Sequence, residues 1–212
     1  MLDKTIPYKN ILMRWDLKEA AGCGEKVQRE RFATRFAKQA ERCLPTGWTI
    51  SNYEAGDAEN WVRIQKAAGE FEADGEQAVL RYFMEHYAVR PEELAQRCLF
   101  VRTASGKAVG TCLAWREDGD GVSSLHWLAV QEDAQGRGAG SALIAAALAR
   151  YLAWDAVPVW LHTQPWSHQA IRLYRRAGFS FVLDSTCRFG GYENETQAGL
   201  EVLRKRNLLP LE

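Results

Sequence analysis

The stretch from Ser123 to Thr163 constrains this chain more than any other. Ser123-Ser-Leu-His-Trp-Leu-Ala-Val130 reads as a strand with apolar residues on both faces, which suits an interior position covered from both sides. A glycine-rich turn follows, and then a helix from about Gly138 whose Leu143, Ile144, Ala147, Leu148, Tyr151 and Leu152 fill one broad face. Val157-Pro-Val-Trp-Leu-His-Thr163 is the next strand. Strand, helix and strand in about 40 residues predict a right-handed crossover joining two parallel strands.

The turn itself, Gln135-Gly136-Arg137-Gly138-Ala139-Gly140-Ser141, carries chemistry. Glycines at alternate positions allow positive φ and let backbone N–H groups converge on an anion without Cβ obstruction, while the helix N-terminus adds its positive end. That combination suits a pyrophosphate. No Gly-Lys-Ser/Thr follows, so it is not a P-loop, and the glycine spacing does not fit G-x-G-x-x-G. A turn of this kind also serves close packing alone.

The remaining elements follow from periodicity and punctuation. An extended stretch at Tyr8 to Arg14 precedes Gly22-Cys23-Gly24, and a charged helix over Glu25 to Cys43 places Val27, Phe32, Phe36 and Ala40 on one face. Leu44-Pro-Thr-Gly47 breaks it, Trp48 to Tyr53 alternates as a strand, and Asp57 is an N-cap for a helix with the stripe Trp61, Ile64, Ala68 and Phe71. Asp74 with Gln77 resembles a capping box for a helix burying Val79, Leu80, Phe83, Met84 and Tyr87, and Pro91 opens a third helix. Leu99 to Arg102 and Ala108 to Arg116 form a hairpin. Ser167 caps a short helix that Gly178 ends, Phe179 to Leu183 is a strand, and Glu195 to Arg206 a last helix. Residues 1–46 read as an N-terminal extension packed on a domain spanning 47–212.

Composition narrows the function classes. Lys+Arg 27 against Asp+Glu 27 supplies no net field for a polyanion or an anionic membrane surface, so neither nucleic acid nor membrane is an expected partner. The N-terminus has no uninterrupted apolar core, and the most apolar stretch, Ser141 to Trp154, is too short to span a bilayer and contains Arg150. A soluble, cytoplasmic protein is expected. Cys23, Cys43, Cys98, Cys112 and Cys187 are scattered, with no C-x-x-C pair and no cluster with histidine, so free thiols are expected rather than a metal site or disulfides.

The second constellation is Ser167-His168-Gln-Ala170-Ile171-Arg-Leu173-Tyr174-Arg-Arg-Ala177-Gly178-Phe179, where Ala170, Ile171 and Tyr174 share a helical face. Q-x-x-G-x-G on a strand–helix turn, followed about 30 residues later by a strand and then S-H-x-A-I-x-L-Y-x-x-x-G-F, resembles the GNAT superfamily of acyl-CoA-dependent N-acetyltransferases. The resemblance covers about Leu99 to Leu183 and extends more weakly from Trp48. It implies an α/β fold with a mostly antiparallel central sheet, one splayed parallel strand pair, and helices on both faces. It also implies that the main chain of Gln135, Gly136, Arg137, Gly138, Ala139, Gly140 and Ser141 holds the pyrophosphate of coenzyme A. Leu128, Ala129 and Val130 would pair with the pantetheine arm, with Ser167 and His168 beside the cofactor. The family often has Asn where this chain has His168.

By the same resemblance Tyr174 protonates the departing thiolate, and an amide near Val130 holds the oxyanion. His126, four residues before Val130, is the candidate base, because an imidazole can accept a proton at neutral pH; Leu125 to Val130 is similar to the corresponding strand of arylalkylamine acetyltransferases. The expected function is transfer of an acetyl group from acetyl-CoA to a primary amine, small or peptidic, directly within a ternary complex. The alternative is a non-catalytic acyl-CoA-binding sensor or partner module. Homodimerisation, frequent in the family, stays open. Trp48, Tyr53, Trp61, Phe71, Tyr82, Phe83 and Tyr87 would wall the acceptor side, most of them as ordinary core.

Overall fold

The computed structural model describes residues 2–17, 25–116 and 121–208. In chain order the elements are β1 (Ile11–Trp15), α1 (Glu25–Cys43), β2 (Thr49–Asn52), α2 (Asp57–Ala67), α3 (Glu76–Phe83), a π turn (Met84–Ala88), α4 (Pro91–Arg97), β3 (Cys98–Arg102), β4 (Ala108–Arg116) and β5 (Ser123–Val130). Then come α5 (Ala139–Ala153), β6 (Val159–Thr163), α6 (His168–Ala177), β7 (Ser180–Phe181), the hairpin β8 (Arg188–Phe189) and β9 (Tyr192–Glu193), and α7 (Thr196–Lys205). Gly22-Cys23-Gly24, part of the turn before β5 and the end of the chain lie outside the described residues.

Seven strands form one mixed sheet in the order β2-β3-β4-β5-β6-β1-β7. Every neighbouring pair is antiparallel except β5 and β6, the parallel pair joined by the α5 crossover. Helices cover both faces, as the resemblance implied. On one face α1 and α5 pack Phe36, Ala40, Leu143, Ile144 and Leu148 against Leu99, Val109, Cys112 and Ala114. On the other, α2 to α4 pack Trp61, Ile64, Phe83 and Leu94 against Cys98, Phe100, Leu113 and Trp115. Burying both faces explains why β4 is apolar along nearly its whole length.

β1 enters the sheet between β6 and β7, with Ile11, Leu12 and Met13 fully buried. All five of its residues pair with β6, from Ile11 opposite Thr163 to Trp15 opposite Val159. The start of α7 closes on it: Leu12 donates its N–H to Thr196 Oγ1 (2.9 Å), and Lys9 pairs with Glu195 (2.6 Å).

Several local expectations are corrected. Val27 is exposed, because it lies five residues before Phe32; Gln28, four before it, takes the buried place. Asp57 is not an N-cap. Gly56 holds that position at φ +94°, and the buried Asp57 carboxylate instead takes both of its oxygens to Arg102 Nη2 (2.7 Å each). The same carboxylate also accepts from the Glu54 N–H (2.9 Å) and Asn60 Nδ2 (3.0 Å), so its oxygens are engaged by these groups rather than by the amides of the first helical turn. The helix ends at Ala67, so Phe71 reaches the core from a turn at φ +53° rather than from the helical stripe. Asp74 and Gln77 form no capping box, since Gly75 is the N-cap and no side chain caps α3. Ser167 likewise makes no cap bond, because the single turn Pro165–Ser167 leads the chain into α6. The π turn after Phe83 rotates the chain, leaving Met84 exposed and Tyr87 buried. Gly178, at φ +100°, ends α6 as expected, and Phe179 returns its N–H to Tyr174 O (3.0 Å).

The glycine turn is held against the end of α1. A Cβ on Gly138 (φ +87°) would overlap the Cys43 carbonyl oxygen, a backbone atom, whereas one on Gly136 (φ +73°) would meet open space. Gly136→Ala is therefore expected to cost only the left-handed penalty of about 1 kcal/mol, and Gly138→Ala roughly 2–4 kcal/mol, read from denaturant midpoints. Equal losses would contradict the packing of α1 on the turn.

Candidate active site

The parallel ladder between β5 and β6 is very short. Only Ser123 opposite Val159 and Ser124 opposite Trp160 pair, and beyond them the strands separate. Each is held on its outer side, β6 by β1 and β5 by β4. A cleft of about 840 Å³ opens at the separation, lined among others by Ser124, His126, Leu128, His162, Ser167 and Tyr174.

A bulge shapes the β5 side. Pairing with β4 jumps from Thr111 opposite Ala129 to Leu113 opposite His126, and Trp127 sits at φ +51°, uncommon for an aromatic residue. The fully buried Gln65 of α2 holds this bend by donating from Nε2 to Trp127 O (2.8 Å). Further along, Gln131 donates its N–H to Val109 O, so the alternation of an antiparallel pair turns the N–H and C=O of Val130 away from β4 toward the open side. Gln135 Nε2 takes that carbonyl (3.0 Å), which leaves the Val130 N–H directed at the cleft side.

His126 is engaged on both nitrogens, Nδ1 with the Tyr87 hydroxyl (3.1 Å) and Nε2 with Ser124 Oγ (2.7 Å). Trp127 Nε1–H donates to the same Tyr87 oxygen (2.8 Å). Burial pushes the His126 pKa down to about 4, so the ring is neutral at physiological pH. Tyr174 is buried on α6, and desolvation pushes its phenol well up. It therefore stays protonated. Cys112 is fully buried on β4, its thiol pushed up to about 12 by burial, which leaves no thiolate to act as a nucleophile. Among the described residues no group of His, Cys, Asp and Glu could hold a metal ion.

Beyond the end of β5 a single turn, Glu132–Ala134, leads into the glycine segment. Gly136 and Gly138 both have positive φ, and the first helical bond of α5 runs from Ala142 N–H to Gly138 O. The N–H groups of Ala139, Gly140 and Ser141 thus have no intrahelical acceptor and carry the positive end of a 15-residue helix. These donors suit a pyrophosphate.

The structure brings His126, Leu128, Ser167 and Tyr174 into one cleft. Gln135 to Ser141 lie outside its lining, at the α5 N-terminus; Ala129 is buried and Val130 half-buried on the way there. His168 does not line the cleft either, and its Nδ1 is buried with no partner among the described residues. Of the expected aromatic wall, Tyr82 and Tyr87 line the cleft, while Tyr53, Trp61 and Phe83 belong to the core. Sequence reasoning missed Gln65, Glu70 and His162 as cleft residues. No local pattern marked them: Gln65 and His162 are held by partners distant in the chain, Trp127 and Asn10, and Glu70 sits on an irregular turn between Gly69 and Phe71.

The buried imidazoles carry a pH signature. His126 and His162 both fall to about 4 through desolvation. A histidine depressed on folding binds its proton more tightly in the unfolded chain, so its contribution is complete above the unfolded value of about 6.5 and is lost as pH falls toward 4. For His126 alone the loss is roughly 3 kcal/mol. Unfolding free energy is expected to drop between pH 6.5 and 4, and less so in His126→Gln; a flat profile would show that neither ring is buried neutral.

Residues 59–179 match the Acetyltransferase (GNAT) family. Mycothiol acetyltransferase of Clavibacter michiganensis subsp. michiganensis is 32% identical over 140 residues, 66% of this chain and 44% of that protein. The mycothiol acetyltransferase of Clavibacter sepedonicus is 31% identical over the same length, 45% of its own chain. This chain thus spans less than half the length of these curated relatives. Two solved structures share the fold: a GCN5-related N-acetyltransferase from Sphaerobacter thermophilus (TM-score 0.55, 21% identity, covering 84% of this chain and 51% of that one), and a GNAT-family acetyltransferase from Colwellia psychrerythraea (0.54, 13%, covering 83% and 54%). With more than half of its residues inside the family match, and with the splayed parallel pair and glycine turn described above, the chain belongs to the GNAT acetyltransferase family.

Proposed function

We propose that this protein is an acetyl-CoA-dependent N-acetyltransferase that moves the acetyl group directly to an amine within a ternary complex. The observation that carries the reading is the meeting of Tyr174 with the Ser124–His126–Tyr87 hydrogen-bond chain in the cleft where β5 and β6 part. The acetyltransferase name of the two Clavibacter relatives supports transfer of an acetyl group.

In this reading the free amides of Ala139, Gly140 and Ser141, with the turn at Gln135 to Gly138, hold the pyrophosphate. Leu128 to Val130 offer their main chain to the pantetheine arm in place of the missing β6 partner, and Ser167 and His168 flank it. In the same reading the Val130 N–H stabilises charge developing on the acetyl oxygen.

The amine must first lose a proton. A primary ammonium near pKa 10.4 is about 0.04% neutral at pH 7, so deprotonation in water costs roughly 4.6 kcal/mol. His126 has no nitrogen free for direct contact. It accepts the proton through the Tyr87 or Ser124 hydroxyl, which passes its own proton to the ring as it receives one. Tyr174, held protonated by burial, gives its proton to the departing sulfur.

Acetyl-CoA at about 100 times its Kd should stabilise the native protein by about 2.7 kcal/mol. Tyr174→Phe should keep that thermal shift while lowering amine-dependent CoA release about 100-fold. A shift without CoA release from any amine would favour a non-catalytic acyl-CoA-binding module. No shift from a folded protein would contradict the assignment of the glycine turn.

A further inference from the structure

The cleft contains one carboxylate that the steps above do not use. Glu70 lines it from the turn after α2, where Gly69 (φ +90°) and Phe71 (φ +53°) both bend the chain. Glu70 donates its N–H to Gln65 O (3.0 Å), and Gln65 in turn holds Trp127, so the turn and the β5 bulge are built on one glutamine. The Phe71 ring lies 4.9 Å from Trp127 and 5.6 Å from Tyr82, whose rings are 5.7 Å apart and both line the cleft. Two non-glycine residues at positive φ within one cluster mark a conformation maintained at a local cost.

Among the described residues Glu70 has no hydrogen bond to its side chain and no ion pair. The cation nearest in effect, Lys4, is paired with Glu72 (3.9 Å). The two arginines that reach the cleft, Arg90 and Arg188, are matched to Glu93 (3.4 Å) and Glu193 (3.8 Å). Burial raises the Glu70 carboxyl, and Glu70 lines the same cleft as Tyr174. A half-buried carboxylate beside aromatic faces is costly alone and favourable with a cation, which gains both the ion pair and the ring quadrupoles.

We propose that the acceptor is received as an organic cation, a primary ammonium on an apolar body, with Glu70 as its counter-ion and the Tyr82 and Trp127 rings as its walls. This rests on the acetyltransferase reading of the cleft and adds the class of amine to it. Glu70 is a specificity-determining residue that touches the acceptor, and Gln65 is a positioning residue behind it.

The test is calorimetric binding to the full chain, with and without saturating CoA, so that affinity is separated from turnover. The probes are phenethylammonium, trimethyl(phenethyl)ammonium, which cannot be acetylated, and n-butylammonium, each against the neutral alcohol of the same body. The wild-type protein is expected to bind at least one ammonium about tenfold more tightly than its alcohol. Glu70→Gln should reduce that preference to within about threefold with CoA affinity unchanged, and Glu70→Asp should restore part of it. Ammonium and alcohol binding alike, no probe binding while CoA binds, or a preference that survives in Glu70→Gln would each overturn the proposal. Failure of CoA to bind with the ammonium preference intact would instead count against the acetyltransferase reading.

Discussion

The interaction on which the rest depends is a ladder that stops. β5 and β6 share two paired positions and then diverge, and everything assigned to the site lies in or beside the opening. A parallel pair buried in a sheet normally continues, because each unpaired peptide group inside costs free energy. Here each strand is anchored elsewhere. β6 is paired along its whole length with β1, and β5 is bent by a bulge whose carbonyl Gln65 holds. Main-chain donors and acceptors are thereby left facing a cleft rather than a strand.

The two ends of the chain maintain this arrangement. Ile11 to Trp15 form an interior strand although they lie near the N-terminus, and α7, near the C-terminus, seats on them through Thr196 and Glu195. Loosening either end would free β6 to shift. The glycine turn is similarly tied to a distant element, since Gly138 lies against the last carbonyl of α1. The cleft and the turn are thus held by packing at positions outside the cleft lining, such as Ile11, Thr196 and Cys43.

What was legible from the sequence was what local pattern decides. Ser123–Val130 and Ala108–Arg116 were expected with the bounds they have, because apolar runs bounded by turn residues read as buried strands. The crossover followed from the strand–helix–strand order, and the end of α6 from Gly178. What was not legible depends on distant partners. Asp57 was expected to cap its helix but pairs with Arg102, 45 residues on. Tyr87 was expected mainly as core, and the π turn brings its hydroxyl to His126. The short run at Ile11, interrupted by Arg14, gave no sign of a central strand. Of the candidate site, the strand, the turn and Tyr174 carry a family pattern; Glu70 and Gln65 carry none.

Amide hydrogen exchange with and without acetyl-CoA tests the central claim most directly, because it reads the main-chain donors themselves. Slower exchange at Val130, Ala139, Gly140 and Ser141 on ligand binding, with α1 and the β8–β9 hairpin little changed, is the result that a splayed strand and an open helix end require. Protection confined to other elements, or none at these four amides while acetyl-CoA binds, would contradict the account.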